Sequence, residues 1–145
     1  MICGMMTIML DKKPGQESIG STASAFRNMA VWEGGYNMCL EICRIADGFS
    51  DQNNAVTQQL RSAATLVPLN LSRSASYRLG RQYIRHLRSA FVASKQLSTV
   101  LMLCHDLNYM NTDQFLDLNS KVNIFSSKLW KYIKYSERKL KQRSK

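Results

Sequence analysis

"FLDLNSKVNIFSSKLWKY", residues 115–132, decides the fold. Phe115, Leu118, Val122, Phe125, Leu129 and Tyr132 recur at strictly alternating steps of three and four. That spacing lays one apolar seam along a helix and suits packing against neighbouring helices. Ahead of it, in "NYMNTDQ", Asn111 and Gln114 stand at the spacing of a helix N-cap and its reciprocal partner. The expectation is a long helix that opens on a capping box.

Working towards the N-terminus, the same pattern repeats. A third helix is expected to start near Tyr77 and end around Leu107, burying Ile84, Leu87, Phe91, Ser94, Leu97, Leu101 and Cys104. A second starts near Asn53, with Val56, Leu60, Ala63, Val67 and Leu71 on one side; Pro68 falls inside that pattern and predicts a kink, not an end. "DGFSDQNN", residues 47–54, separates it from a first helix over about Asn28–Asp47, whose expected apolar face is Trp32, Tyr36, Cys39, Cys43 and Ala46. No stretch sustains a period of two. The fold class is therefore all-α, an antiparallel up-down four-helix bundle. Residues 1–25, with "DKKPGQESIGSTAS", read as a disordered tail, 26–140 as the bundle and 141–145 as a basic tail.

At 145 residues the chain is long enough for one real core, and 45% hydrophobic residues exclude wholesale disorder. The net charge of +10 attracts polyanions, nucleic acid first. Cys3, Cys39, Cys43 and Cys104 form no paired C-x-x-C and no disulfide framework, and "MICGMMTIML" lacks a basic n-region and a cleavage site. Reduced thiols and a cytoplasmic location are expected. No apolar run approaches the ~18 residues of a membrane span, and no membrane partner is expected.

"AFRNMAVW", "LRSAATLVPLN", "RQYIRHL" and "DLNYM" before a final helix carry a resemblance. From about Phe26 to Tyr135 the chain resembles the bacterial four-helix-bundle proteins encoded in intervening sequences of large-subunit ribosomal RNA genes. That family includes the accessory variability proteins (Avd) of diversity-generating retroelements. Trp32, Gln59-Leu60-Arg61, Val67-Pro68-x-Asn70 and Tyr83-Ile84-Arg85 fall in step. The resemblance implies a homopentameric barrel of bundles and a non-enzymatic role. In the retroelement branch it also implies binding of RNA and a reverse transcriptase through basic surfaces. Where the ribosomal branch continues Ile-Ala-Glu-Gly, this chain has Leu71-Ser72-Arg73-Ser74; where that branch has mid-helix glutamates, it has Lys95, Gln96 and Ser98. Both departures remove acids.

The charge pattern is equally one-sided. From Gln52 through His105 there is no Asp or Glu, while Arg61, Arg73, Arg78, Arg81, Arg85, Arg88 and Lys95 lie in that span. On a helical wheel Arg78, Arg81, Arg85 and Arg88 share a sector that Lys95 continues, roughly 130–140° from the apolar stripe. A face made only for solubility pairs Glu with Lys at i, i+4, and these cations have no such partners. Guanidinium forks a turn apart suit phosphates along a backbone. The C-terminal "KLWKYIKYSERKLKQRSK" repeats the signal. Lys128, Lys131, Lys134, Arg138, Lys139, Lys141, Arg143 and Lys145 face the single acid Glu137. The helix dipole accounts for two or three of these charges, not all. Trp130 and Tyr135, interleaved among them, are candidates for stacking unpaired bases.

Catalytic chemistry is not legible. The acids are scattered, no Gly-rich phosphate loop or nucleophile motif occurs, and Cys39, Cys43, Cys104 and His105 lack zinc-site spacing. No enzyme activity, metal or cofactor is expected. The sequence points to a basic adaptor that binds RNA or single-stranded DNA. Its most specific form is an accessory subunit of a bacterial reverse transcriptase, and the rival is a protein–protein scaffold of the ribosomal branch. The candidate phosphate contacts are Arg73, Arg78, Arg81, Arg85, Arg88, Lys95, Lys128, Lys131, Lys134, Arg138 and Lys141.

Overall fold

A computed structural model describes residues 29–145; the tail expected over 1–25 lies outside the described residues. Those described form four helices and no strand: α1 (Ala30–Asp47), α2 (Ala55–Ala75), α3 (Arg81–Asp106) and α4 (Thr112–Arg143). Each packs on the next, and α4 closes the ring against α1. The chain is the all-α bundle its periodicity requires.

The expected stripes of α2, α3 and α4 form the core. Leu60, Val67, Leu71, Leu87, Leu97, Leu101, Val122, Leu129 and Ile133 are fully buried. On α1 the buried face is Gly35, Met38, Cys39, Ile42 and Ala46, so the expected line through Trp32, Tyr36 and Cys43 is rotated. Gly35 explains the shift. A Cβ there would stand 3.0 Å from Leu71 Cδ1 and 3.2 Å from Phe125 Cζ, so a missing side chain lets α1 settle on α2 and α4. Trp32 and Tyr36 are left to stack on each other at the rim, ring centroids 4.9 Å apart, and Trp32 Nε1 donates to Ser72 Oγ at 2.9 Å. Two polar contacts bridge α3 and α4: the Ser94 and Ser126 hydroxyls at 2.8 Å and the Tyr83 and Tyr132 hydroxyls at 2.6 Å. Burial and the Tyr132 hydroxyl both push the Tyr83 phenol up.

Helix ends follow local chemistry. The Asn111 side chain accepts from Gln114 N at 2.8 Å and Gln114 Oε1 from Asn111 N at 3.2 Å, the expected capping box. At the end of α3, Asn108 takes φ 61°. Tyr109 N donates to the Cys104 carbonyl at 2.8 Å and Asn108 N to that of His105 at 2.9 Å. This is a Schellman stop with Asn in the left-handed position. Pro68 is buried within α2, which continues to Ala75.

Two boundaries differ from expectation. α3 begins at Arg81, not near Tyr77, because α2 runs on to Ala75 and Gly80 supplies the extended N-cap. α4 continues through Arg143, so residues 141–143 are helix, not tail.

Candidate nucleic-acid interface

The up-down order places the end of α2, the start of α3 and the end of α4 together. The opposite end gathers the α1–α2 and α3–α4 connections, where Phe49 meets Tyr109 at 5.7 Å between ring centroids. Asp47, Asp51, Asp106 and Asp113 sit there, Asp47 held by Arg61 at 2.8 Å. Nearby, Lys121 bridges Glu41 and Asp117, and both carboxylates hold its ammonium above the usual lysine range. Most described acids thus lie far from the arginine-rich end. A molecule so polarised aims its positive field one way.

At the basic end Arg81, Arg85 and Arg88 occupy i, i+4 and i+7 of α3, all exposed. They line a groove of about 780 Å³ between α3 and α4. Lys141 comes in from the α4 side with Leu140 and Glu137; Ile84 and Val92 come from α3. Two sequence segments some fifty residues apart therefore make one surface. Charged groups and aliphatic side chains line it together.

Glu137 is the groove's one acid among the described residues. Its Oε1 accepts from Arg88 Nε at 3.1 Å and from an Arg88 terminal nitrogen, and its Oε2 accepts from Lys134 Nζ at 3.3 Å. The hydrogen bond from Arg88 is the largest influence holding this carboxyl below its ordinary range, followed among the favourable contacts by Lys134. Arg81, Arg85 and Lys141 form no ion pair with a described residue, nor do Arg73, Arg78, Lys95, Lys128, Lys131 and Arg138. The lining keeps donors that nothing inside the described chain has taken.

The remaining expected residues scatter. Arg78 belongs to the turn before α3, not to its helical stripe, because that helix starts three residues later. Tyr77 in the same turn stacks on His86, centroids 5.3 Å apart, which ties the turn to α3. Arg73 is exposed in the last turn of α2. Lys95 lies beyond the groove, its ammonium 5.4 Å from the Phe91 ring centroid. Lys128 and Lys131 are exposed on α4. Arg138 lines a separate hollow of about 300 Å³ with Tyr135, Lys139 and Gln142. Lys141 and Arg138 of α4 thus line different hollows.

Trp130 is 40% exposed. It packs on Phe91 at 5.1 Å, and the Lys134 ammonium covers it at 4.5 Å. Tyr135 is half exposed, with Lys139 at 5.4 Å from its centroid. Sequence reasoning missed Ile84, Val92, Leu140 and Glu137 as groove residues. Ile84 looked like core and Glu137 like an isolated acid, and only α4's position beside α3 gives them a shared surface.

Burial pushes the Cys39 thiol up to about 12, with Cys43 beside it adding to the shift, and burial alone pushes Cys104 to about 11. Such thiols are poor nucleophiles and poor metal ligands. Among the described residues no group of three His, Cys, Asp or Glu side chains is placed to hold a metal, and no helix is long and apolar enough to cross a membrane.

Comparison with known proteins adds family and fold. A family model described as 23S rRNA-intervening sequence protein matches residues 27–131. Among solved structures, the chain is similar to a protein of unknown function from the S23 ribosomal protein family of Bacteroides thetaiotaomicron. The TM-score is 0.66 at 16% identity, covering 72% of this chain and 95% of that one. No curated protein matches the chain.

Proposed function

The chain belongs to the 23S rRNA-intervening sequence protein family, and we propose that it acts there as a non-catalytic adaptor binding RNA or single-stranded DNA. One observation carries the reading: Arg81, Arg85 and Lys141, each without an ion-pair partner among the described residues, converge on one groove. The described aspartates stand at the other end of the bundle. Phosphates spaced along a strand suit such a row of donors. Backbone contact dominates this mode, so affinity is general, not sequence-specific.

In its most specific form the protein is the accessory subunit of a bacterial reverse transcriptase, holding template against the enzyme in the cytoplasm. The replacement of acids at Leu71–Ser74 and at Lys95, Gln96 and Ser98 supports that branch. Assembly as a homopentamer belongs to the same reading. Leu66 and Leu69 on α2, Met102 and Leu103 on α3, and Leu116 and Ile124 on α4 are exposed, and closure into a ring would cover outer faces of this kind. The same apolar faces favour the second reading, a protein–protein scaffold without nucleic acid.

Fluorescence anisotropy with single-stranded RNA between 50 and 200 mM salt tests the adaptor. The triple variant Arg81→Gln, Arg85→Gln, Lys141→Gln removes three contacts. At about 0.7 log units of slope per single-strand phosphate, its log–log salt slope should be shallower by about 2. Absence of wild-type binding at 50 mM salt overturns the adaptor and leaves the scaffold. Native mass spectrometry reads the subunit count.

A further inference from the structure

Resting on the adaptor reading, we propose that the α3–α4 groove is a site for an unpaired nucleotide, with phosphate on Arg81, Arg85 and Lys141 and the base beyond them against Val92. A surface that met phosphates alone would need cations and no apolar lining. Here cations and aliphatic side chains line the same open groove of about 780 Å³. Ile84 is anchored in the core, Leu140 packs against it, and Val92 stays 53% exposed among cationic neighbours. An exposed β-branched residue there adds nothing to the bundle's interior. It offers apolar contact to something that enters from outside.

Charge complementarity selects what enters. Glu137 holds Arg88 and Lys134, which lowers the charge in the middle of the groove to a net +1 and places there a carboxylate that repels phosphate. The phosphate is thereby confined to the Arg81, Arg85 and Lys141 end. The stretch beyond it suits an uncharged planar group. A base from a single strand meets that description, with guanidinium planes able to stack on its face. A duplex keeps its bases stacked inside and presents phosphates to a protein surface, so it leaves the apolar lining unused. Of the two aromatics interleaved with the α4 cations, Trp130 has Lys134 over its ring and Tyr135 has Lys139.

Anisotropy at 50 mM salt with two labelled strands of equal length, one single-stranded RNA and one abasic phosphodiester backbone, tests the site. The protein should bind the RNA about fivefold more tightly than the abasic strand, the effect of burying about 40 Å² of apolar surface. Val92→Ser, at an exposed position that folding does not need, should lower affinity for the RNA and leave the abasic strand unchanged. Equal affinity for both strands overturns the base site while leaving the phosphate-binding adaptor standing. A Val92→Ser protein that binds both strands as the parent does also overturns it. If neither strand binds and an acidic amphipathic peptide does, both readings fall and the groove belongs to a protein partner.

Discussion

On the adaptor proposal, folding and binding pull in opposite directions at Glu137, and Glu137→Gln separates them. The groove and its edge hold Arg81, Arg85, Arg88, Lys134 and Lys141 against one carboxylate. Removing that charge takes the local sum from +4 to +5 and frees two cations. A phosphate seated on Arg85 would lie on the order of 7 Å from the carboxylate. Their repulsion is about 0.6 kcal/mol at an effective dielectric near 80 and about 2.4 kcal/mol near 20. Affinity for single-stranded RNA should therefore rise by about 3- to 50-fold. The salt slope should steepen by about 0.7, or by about 1.4 if both freed cations find a phosphate. Stability moves the other way. Arg88 is 57% exposed and Glu137 20%, so the lost pairing is worth about 0.2–1 kcal/mol, a fall in Tm of at most about 4 °C. The carboxyl's folded pKa is depressed, so its contribution is present above the ordinary carboxylate value near 4.3 and is lost as pH falls through the lower folded value. Parent and variant melts should converge as pH falls through that lower value. Asp113→Asn, exposed at the opposite end, makes the same change in net charge and should leave affinity nearly unchanged. Anisotropy and calorimetry read the two effects. A Glu137→Gln protein that binds RNA no better than the parent while melting lower would refute the reasoning: the carboxylate would then serve to place Arg88, not to compete with phosphate.

Three further outcomes are expected. Asn111→Ala removes one half of the capping box at α4 and should cost about 1 kcal/mol in thermal unfolding, with the helical circular-dichroism signal retained. Leu129→Ala, in a fully buried seam position of α4, should cost about 2–5 kcal/mol by denaturant titration, far more than truncation of exposed Leu116. Cys39 and Cys104, their thiols raised to about 12 and about 11, should resist iodoacetamide at pH 8 in the native protein and label once unfolded. Peptide mapping by mass spectrometry reads this, and prompt native labelling of either would contradict their burial.

Helix number, the seam of α4 and the capping box were legible because each is written in local order. A 3.6-residue period and an Asn–Gln pair need no partner to be recognised. The rotation of α1 was not legible. Its Trp and Tyr look like the better core residues, and only the approach of Leu71 and Phe125 reveals that Gly35 must face inward. Likewise Arg78 fits the arginine period in one dimension, yet the continuation of α2 to Ala75 and the Gly80 cap put it in a turn.

What the linear order determined by itself is how many helices form among the described residues, which face of α2, α3 and α4 is apolar, and that the charge is one-signed. These follow from side-chain type and spacing along one axis. The groove was decided by the tertiary structure. Lys141 stands beside Arg81 and Arg85, and Glu137 reaches Arg88, because antiparallel packing returns the end of α4 to the start of α3. A short-range pattern carries no information about such a pairing.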